Sequence, residues 1–363
     1  MRWIWIWIFS VCLFFALPRP SIAQSETAVF TVTHDERVTS ASWNTTETHI
    51  LTTSEDGTIR MTDAQTGEQV WQITHTDSIN DASWSHDSNH ILAWDDRVLL
   101  IIDAQTGDFA IEPAGLEKPN IADAIWKHDD SAILLYSDTF AQIITLGDDL
   151  TIRDMRGFGF FGDGNDLSFS QWNHDETQIL TFDTNLTARV WDVDSNDEAY
   201  SFTFPTDTTG IAWSGDEIRF ASWGLDSAVR LWDITDNGQI SDAGSFRHSR
   251  TFVIGATWAV NDTILLTWGA DETARVWDVA SGEEKISVKH TDWVTGATLN
   301  YDGTILVTWS YQFAYVWDAT TGDLIYQASH DNLVSGARLN EAETRLLTWG
   351  WGGTARLWDI IDG

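Results

Sequence analysis

Cysteine is all but missing from this chain: Cys12 is the only one among 363 residues. Disulfide frameworks, zinc fingers, iron–sulfur clusters and thiol nucleophiles are excluded with it. Positive charge is scarce as well. There are 20 Lys and Arg against 55 Asp and Glu, a formal net charge of −35. A surface of that sign repels phosphate backbones and anionic lipid, so neither nucleic acid nor a membrane is an expected partner. Long apolar runs are absent apart from Trp3 to Leu17, and no other stretch sustains a helical period. That leaves an all-β reading.

The one apolar run follows Met1-Arg2 and is followed by Pro18-Arg19-Pro20 and Ser21-Ile22-Ala23. A short basic start, an apolar core too short to span a bilayer comfortably, and small residues at 21 and 23 make the pattern of an export signal. Residues 1–23 are therefore read as a signal peptide. Residues 24–363 form a single domain expected in the periplasm or outside the cell, and an uncleaved anchor is the alternative. Cys12 lacks the context of a lipidation site, and cleavage would remove it. High net charge alone suggests disorder, but 22 tryptophans bring enough apolar area to build a core.

The rest is repetitive. TILLTWGADETARVWD (263–278) recurs as TRLLTWGWGGTARLWD (344–359) and as IRFASWGLDSAVRLWD (218–233). Upstream anchors at Trp43, Trp84, Trp126, Trp172, Trp213, Trp258, Leu299 and Leu339 are spaced by 40 to 46 residues. Each unit holds four apolar-rich runs of strand length. In the sixth these are 254–258, 264–268, 274–277 and 285–289, parted by Asn261-Asp262, Asp271-Glu272 and Ser281-Gly282-Glu283 as turn chemistry. A four-stranded meander cannot bury both faces alone, so such units stack around an axis. The third unit is the least regular, but 121–126, 132–136, 141–145 and 151–153 still supply four strands. The Gly-Phe run 157–164 after it reads as a loop. Eight blades are expected, with seven as the alternative. The last unit ends after its third strand, and Val29–His34 matches the fourth strand of the first unit, 70–75. The N-terminal strand is expected to complete the last blade and remove its open edge.

This pattern resembles the WD repeat, a β-propeller family, whose terminal pair stands here as Trp191-Asp192, Trp232-Asp233, Trp277-Asp278, Trp317-Asp318 and Trp358-Asp359. The resemblance implies a hydrogen-bonded network in each blade: a His in the link between blades, a Ser or Thr in the second strand, an Asp in the next turn, and the Trp of the pair. Repeat six has all four, His248, Thr267, Asp271 and Trp277. Repeat one has His34, Thr52 and Asp56 but Thr62 for the Trp. Repeat five has Ser222, Asp226 and Trp232 without a His. Repeat eight has His330, Thr348 and Trp358, with Gly352 for the Asp. A Ser/His/Asp trio invites a hydrolase reading, but a catalytic site occurs once and these trios recur from blade to blade.

Other features are weighed the same way. His86-Asp87, His128-Asp129 and His174-Asp175 repeat in the first hairpin turn of repeats two, three and four. Turns on adjacent blades are expected to lie too far apart to share a metal with bonds of ~2 Å, so they read as turns closed by their own Asp. Trp94, Trp223, Trp268, Trp309 and Trp349 fall in the second strands, where alternation turns them toward a neighbouring blade as packing. The segment 63–71 and its relatives at 103–107 and 318–322 resemble the repeat of quinone-cofactor propellers, but no cysteine pair is present. Asn44, Asn185 and Asn261 fit the glycosylation pattern, which matters only in a eukaryotic secretory route.

The resemblance implies a non-catalytic protein-binding scaffold, a monomeric ring with no cofactor and no metal. The runner-up is a propeller enzyme, quinone-dependent or sugar-processing, and a unique carboxylate cluster in the central channel would favour the latter. The face implied for a protein partner carries the residue leading into each first strand and the turn before each third strand. The first set comprises Arg37, Ser78, Trp293 and Leu333. The second comprises Glu55, Leu225, Ala270, Tyr311 and Trp351. Arg37, Trp293, Tyr311, Leu333 and Trp351 are the candidate contact residues, with local packing as their competing role.

Overall fold

A computed structural model of the chain describes residues 27–115, 120–159, 166–205, 207–235, 238–249 and 251–360. The expected signal segment lies outside them. Thirty-two strands are arranged as eight separate four-stranded antiparallel sheets. Seven take their strands consecutively, from Val38–Thr74 in blade one to Gly296–Ser329 in blade seven. In the eighth, Val334–Leu339, Arg345–Gly350 and Thr354–Asp359 are joined by the N-terminal strand Phe30–Thr33. Its register runs Phe30↔Leu357 to Thr33↔Thr354. The fold is an eight-bladed β-propeller closed as the sequence implies. No helix is present among the described residues.

The irregular third repeat is a complete blade: Ile121–Trp126, Ala132–Ser137, Ala141–Leu146 and Ile152–Phe158. One expectation there needs correction. Gly157 and Phe158 are not loop but the end of the fourth strand, paired with Gln142 and Ala141, and Phe158 is fully buried. Gly159 follows at a φ of 68°, and residues 160–164 of the run lie outside the described residues. Phe158 brings an apolar anchor the blade needs, which outweighs the turn preference of its glycine neighbours.

Within a blade, burial is greatest in the second strand and least in the fourth. In blade six, the second strand Ile264–Gly269 is buried along nearly its whole length, whereas the fourth strand Glu284–Lys289 buries only Ile286 and Val288. Near-continuous apolar runs and strict alternation thus mark inner and outer strands of one sheet. Eight apolar clusters, one between each pair of neighbouring blades, hold the ring. The cluster at the seam draws Val32, Leu347, Ala355 and Leu357 from blade eight and Val38, Ala41 and Ile50 from blade one.

The acid excess has a structural share. In blades one, two, four, six and seven, the Asp that ends the third strand closes the turn to the fourth. Asp63 accepts the backbone N–H of Gln65 and Thr66, and Asp278 and Asp318 do the same for their own turns. On the same rim, the hairpin after the first strand carries, in every blade but the seventh, a residue at positive φ whose side chain caps the hairpin of the preceding blade. Asp130 accepts the N–H of His86 and Asp87, Glu217 that of His174, and Asp262 those of Gly215 and Asp216. Glu47 closes the circle across the seam by accepting from Asn340 Nδ2 and the Glu341 N–H. These clamps cross blade boundaries, so they fasten the ring rather than the blade.

Candidate functional site

Repeat six shows the blade network in full. His248 Nε2 meets the Thr267 hydroxyl at 2.8 Å, its Nδ1 meets Asp271 at 3.0 Å, and Trp277 Nε1 donates to the same hydroxyl at 2.8 Å. In repeat one, His34 reaches Thr52 at 2.9 Å and the Thr58 hydroxyl at 2.7 Å. Asp56 accepts the Asp35 N–H and the Thr58 hydroxyl, and Thr62 makes no such link to Thr52. His330 and Trp358 share Thr348 in repeat eight, at 2.7 and 2.8 Å. Trp232 donates to Ser222 in repeat five, while Asp226 pairs with Arg230. Burial drives His34, His290 and His330 down to about 4, with Arg60 and Arg356 adding to the effect at the first and last. Such imidazoles are neutral struts.

Two members of this network escape sequence reasoning. Repeat seven has it too, with His290, Thr308 and Trp317 at 3.0 and 2.8 Å and Ser310 in place of the Asp. In repeat five the missing His is Phe204. Its N–H bonds Leu186 O just as His248 bonds Ser227 O, and its ring meets Trp232 edge-on. An apolar ring thus serves where no polar partner is required.

The hairpin histidines call for a correction of reasoning. The rings of His86 and His128 touch edge to face with centroids 4.6 Å apart, so adjacent turns do approach each other. Their contact is a ring contact, and His86 Nδ1 is spent on Asp130 at 3.1 Å. Asn44 is buried, with its amide spent on Thr46 and Thr48.

The second-strand tryptophans have a partner that the sequence did not single out. Gly210, Gly255, Gly296 and Gly336 in the first strands stand opposite Trp223, Trp268, Trp309 and Trp349. A Cβ at any of these glycines would lie 2.0–2.5 Å from the indole. Each indole therefore lies flat over its own first strand and also packs on the next blade; Trp223 Nε1 donates to Ile254 O. Glycine is needed there because nothing larger fits under the ring.

In blades two and three the same position holds Asp81, opposite Trp94, and Asp123, opposite Tyr136. Both carboxyls line a cavity of about 500 Å³ with Ser40, Trp94, Trp349 and Arg338. Blades eight, one, two and three all contribute, chiefly through their first strands, which places the cavity along one side of the central channel. Burial raises Asp81, against hydrogen bonds from Ser40 and the Ala82 N–H and the charge of Arg338. Burial pushes Asp123 up to about 6, opposed by the Ala124 N–H and assisted by the charge of Asp81. This is a carboxylate pair in the central channel, and it occurs once. Replacing Asp123 with Asn should raise the melting temperature at pH 7 by a few degrees, since a shift of that size costs on the order of 2 kcal/mol when ionised. The gain should shrink as the pH falls below about 6 and vanish only at about pH 3.5, where the carboxyl is protonated in the folded and the unfolded chain alike. An equal gain at both ends of that range would place the cause elsewhere.

The candidate contact residues lie in a band on the other rim. Glu55 N bonds Arg37 O within blade one, Trp351 N bonds Leu333 O within blade eight, and Val334 N bonds Tyr311 O between blades eight and seven. Trp293, Tyr311 and Trp351 are each about half exposed. Both readings of them have support in part. Phe252 packs edge-on to Trp293, and the Arg37 guanidinium covers Trp351 at 4.6 Å while also reaching Glu55. Tyr311 holds φ of 48°, an unusual conformation for a bulky residue and one that concentrates at functional positions. Leu225 is more exposed still, whereas Ala270 is buried.

The repeat, the eight blades and their networks define a WD-repeat propeller. The family model for the WD40 domain of anaphase-promoting complex subunit 4 matches residues 23–97. In fold the chain is similar to a crystal structure of the computationally designed Ika8 protein, with a TM-score of 0.73 at 19% identity. That match covers 90% of this chain and 97% of the other. No curated protein matches. The chain is an eight-bladed β-propeller whose first repeats match a WD40 family model.

Proposed function

We propose that the protein is an exported, non-catalytic scaffold that binds a protein partner on the rim carrying Trp293, Tyr311, Leu333 and Trp351. The observation behind this reading is the half-exposed aromatic band across blades seven and eight, set in a strongly acidic surface. Large rigid rings amid charge are the usual anchors of an interface. Export rests on the pattern of residues 1–23, and WD-repeat propellers as a class serve as interaction platforms. Affinity capture of the mature protein from its native envelope or medium would supply the partner. Replacing Trp293 and Trp351 together with Ala should then weaken that partner more than tenfold, about 1.4 kcal/mol or more, with the melting temperature nearly unchanged. A large loss of stability would make them packing residues, and unchanged binding would move the interface elsewhere.

One observation favours a second reading, a sugar-processing enzyme. Asp81 and Asp123 offer two carboxyls whose environments hold them protonated to different pH values, the arrangement that glycoside hydrolysis uses for an acid and its partner. Turnover of chromogenic glycosides by the purified protein, lost in Asp123→Asn, would support it over the scaffold. No corresponding observation favours a quinone enzyme.

A further inference from the structure

His75, Asp77 and Asp95 offer ligand atoms that all lie within 4.8 Å of one another where blade one passes into blade two. The site arises from a blade network that has lost its ordinary anchors. His75 N bonds Gly57 O at 2.8 Å, as the other link histidines bond their own carbonyls, so the ring is placed as they are. Its usual partners are gone. Ala93, paired with Leu100, takes the position of Thr267, and Ile102 takes that of Trp277. The following hairpin is also shorter. Trp94 pairs with Leu99, whereas Trp268 pairs with Ala274, and this brings Asp95 to the position of Gly269 rather than that of Asp271.

Asp95 is 2% exposed, and one of its oxygens is used: Oδ1 accepts the N–H of Arg97 and of Val98, both at 2.6 Å. The other, Oδ2, is buried without a hydrogen-bond partner, 3.4 Å from His75 Nδ1. With its proton on Nε2, Nδ1 has a single lone pair, which either accepts the Asp77 N–H 3.3 Å away or binds a cation. In that tautomer Nδ1 and Oδ2 repel unless a cation lies between them, whereas in the other Nδ1–H points toward Oδ2. Metal–ligand bonds of ~2.1 Å at a tetrahedral angle set neighbouring ligand atoms ~3.4 Å apart, which is the spacing seen. The exposed carboxylate of Asp77 stands ready as a third ligand, with the solvent side open for water.

We propose that His75, Asp77 and Asp95 form a binding site for a divalent transition-metal ion of the zinc type. An imidazole with two carboxylates suits Zn²⁺, whereas Mg²⁺ and Ca²⁺ favour all-oxygen shells. This site shares a rim with the aromatic band but lies at blades one and two, away from blades seven and eight, so it stands or falls independently of the proposed function.

The test uses the full chain stripped with a chelator, titrated with ZnCl₂ by calorimetry in excess Mg²⁺ to fill all-oxygen sites on the acidic surface. One tight equivalent is expected, weakened at least tenfold in Asp95→Asn and in His75→Phe. The first variant retains an oxygen for the Arg97 and Val98 N–H groups. The second puts phenylalanine where Phe204 already serves in blade five. Substituting Co²⁺ in the wild-type chain should give the visible bands of a four-coordinate site, a readout that does not depend on either variant folding. Absence of a saturable equivalent and of those bands would overturn the proposal, as would binding unchanged in both variants.

Discussion

Deleting residues 27–33 is expected to lower the melting temperature by about 10 °C or more and to turn a closed ring into aggregates. The deleted strand supplies a full ladder to Thr354–Asp359, from Phe30↔Leu357 to Thr33↔Thr354, flanked by Val29 N to Leu357 O at 2.7 Å. It also buries Val32 in the cluster that joins blade eight to blade one. Its loss uncovers Ala355 and Leu357 and leaves a row of unpaired backbone groups, a template for pairing with other chains. The effect reaches past the blade, because Thr33 O receives Arg60 and the following His34 organises the network of blade one. Light scattering and calorimetry read both consequences. A synthetic peptide of residues 28–34 added to the variant should restore part of the transition. A deletion variant that stays free of aggregates and melts like the parent would mean that the ring does not depend on this strand.

That closure was legible in the sequence because it is a matter of matching like with like: 29–34 repeats 70–75. Blade number and inner-strand boundaries were legible for the same reason, a period of about 40 residues carrying one alternation. The networks of repeats one, six and eight could be assembled from residue types at fixed spacing. What stayed hidden depends on pairing across strands or blades. Asp81 and Asp123 look like ordinary turn-adjacent acids until register places them opposite Trp94 and Tyr136, at the position glycine holds in four other blades. The recurring glycine opposite each second-strand Trp was the available signal. Glu47 gives none, since the hairpin it clamps is almost 300 residues away in sequence. Phe204 and His75 show the limit from the other side. One keeps the histidine's place without its chemistry, and the other keeps the histidine after its partners have changed.

Lowering the pH from 7 to 4.5 should cost the fold stability on the order of 3 kcal/mol, read as a fall of roughly 5–10 °C in melting temperature. His34, His290 and His330 are each held at about 4, chiefly by burial, against 6.5 for a free imidazole. A histidine lowered in this way contributes fully above pH 6.5, where it is neutral in both states. Between 6.5 and about 4 the unfolded chain takes up a proton that the folded chain refuses, and each imidazole then loses ~2 kcal/mol by pH 4.5. Two effects oppose the loss. Protonation relieves Asp81 and Asp123, whose raised carboxyls destabilise the fold when ionised, and it lessens the repulsion of a chain carrying −35. Three histidines outweigh one strongly and one less strongly shifted carboxyl, so the net sign is a loss. The turn aspartates do not add to it in this window. Asp56 and its relatives are lowered by the N–H and hydroxyl groups they accept, and their contribution disappears only below about pH 4. Replacing His290 and His330 with Phe, which blade five already accommodates at Phe204, should cost stability at pH 7 but flatten the slope between pH 6.5 and 4.5. A slope as steep as that of the parent would show that these imidazoles are not what acid disturbs.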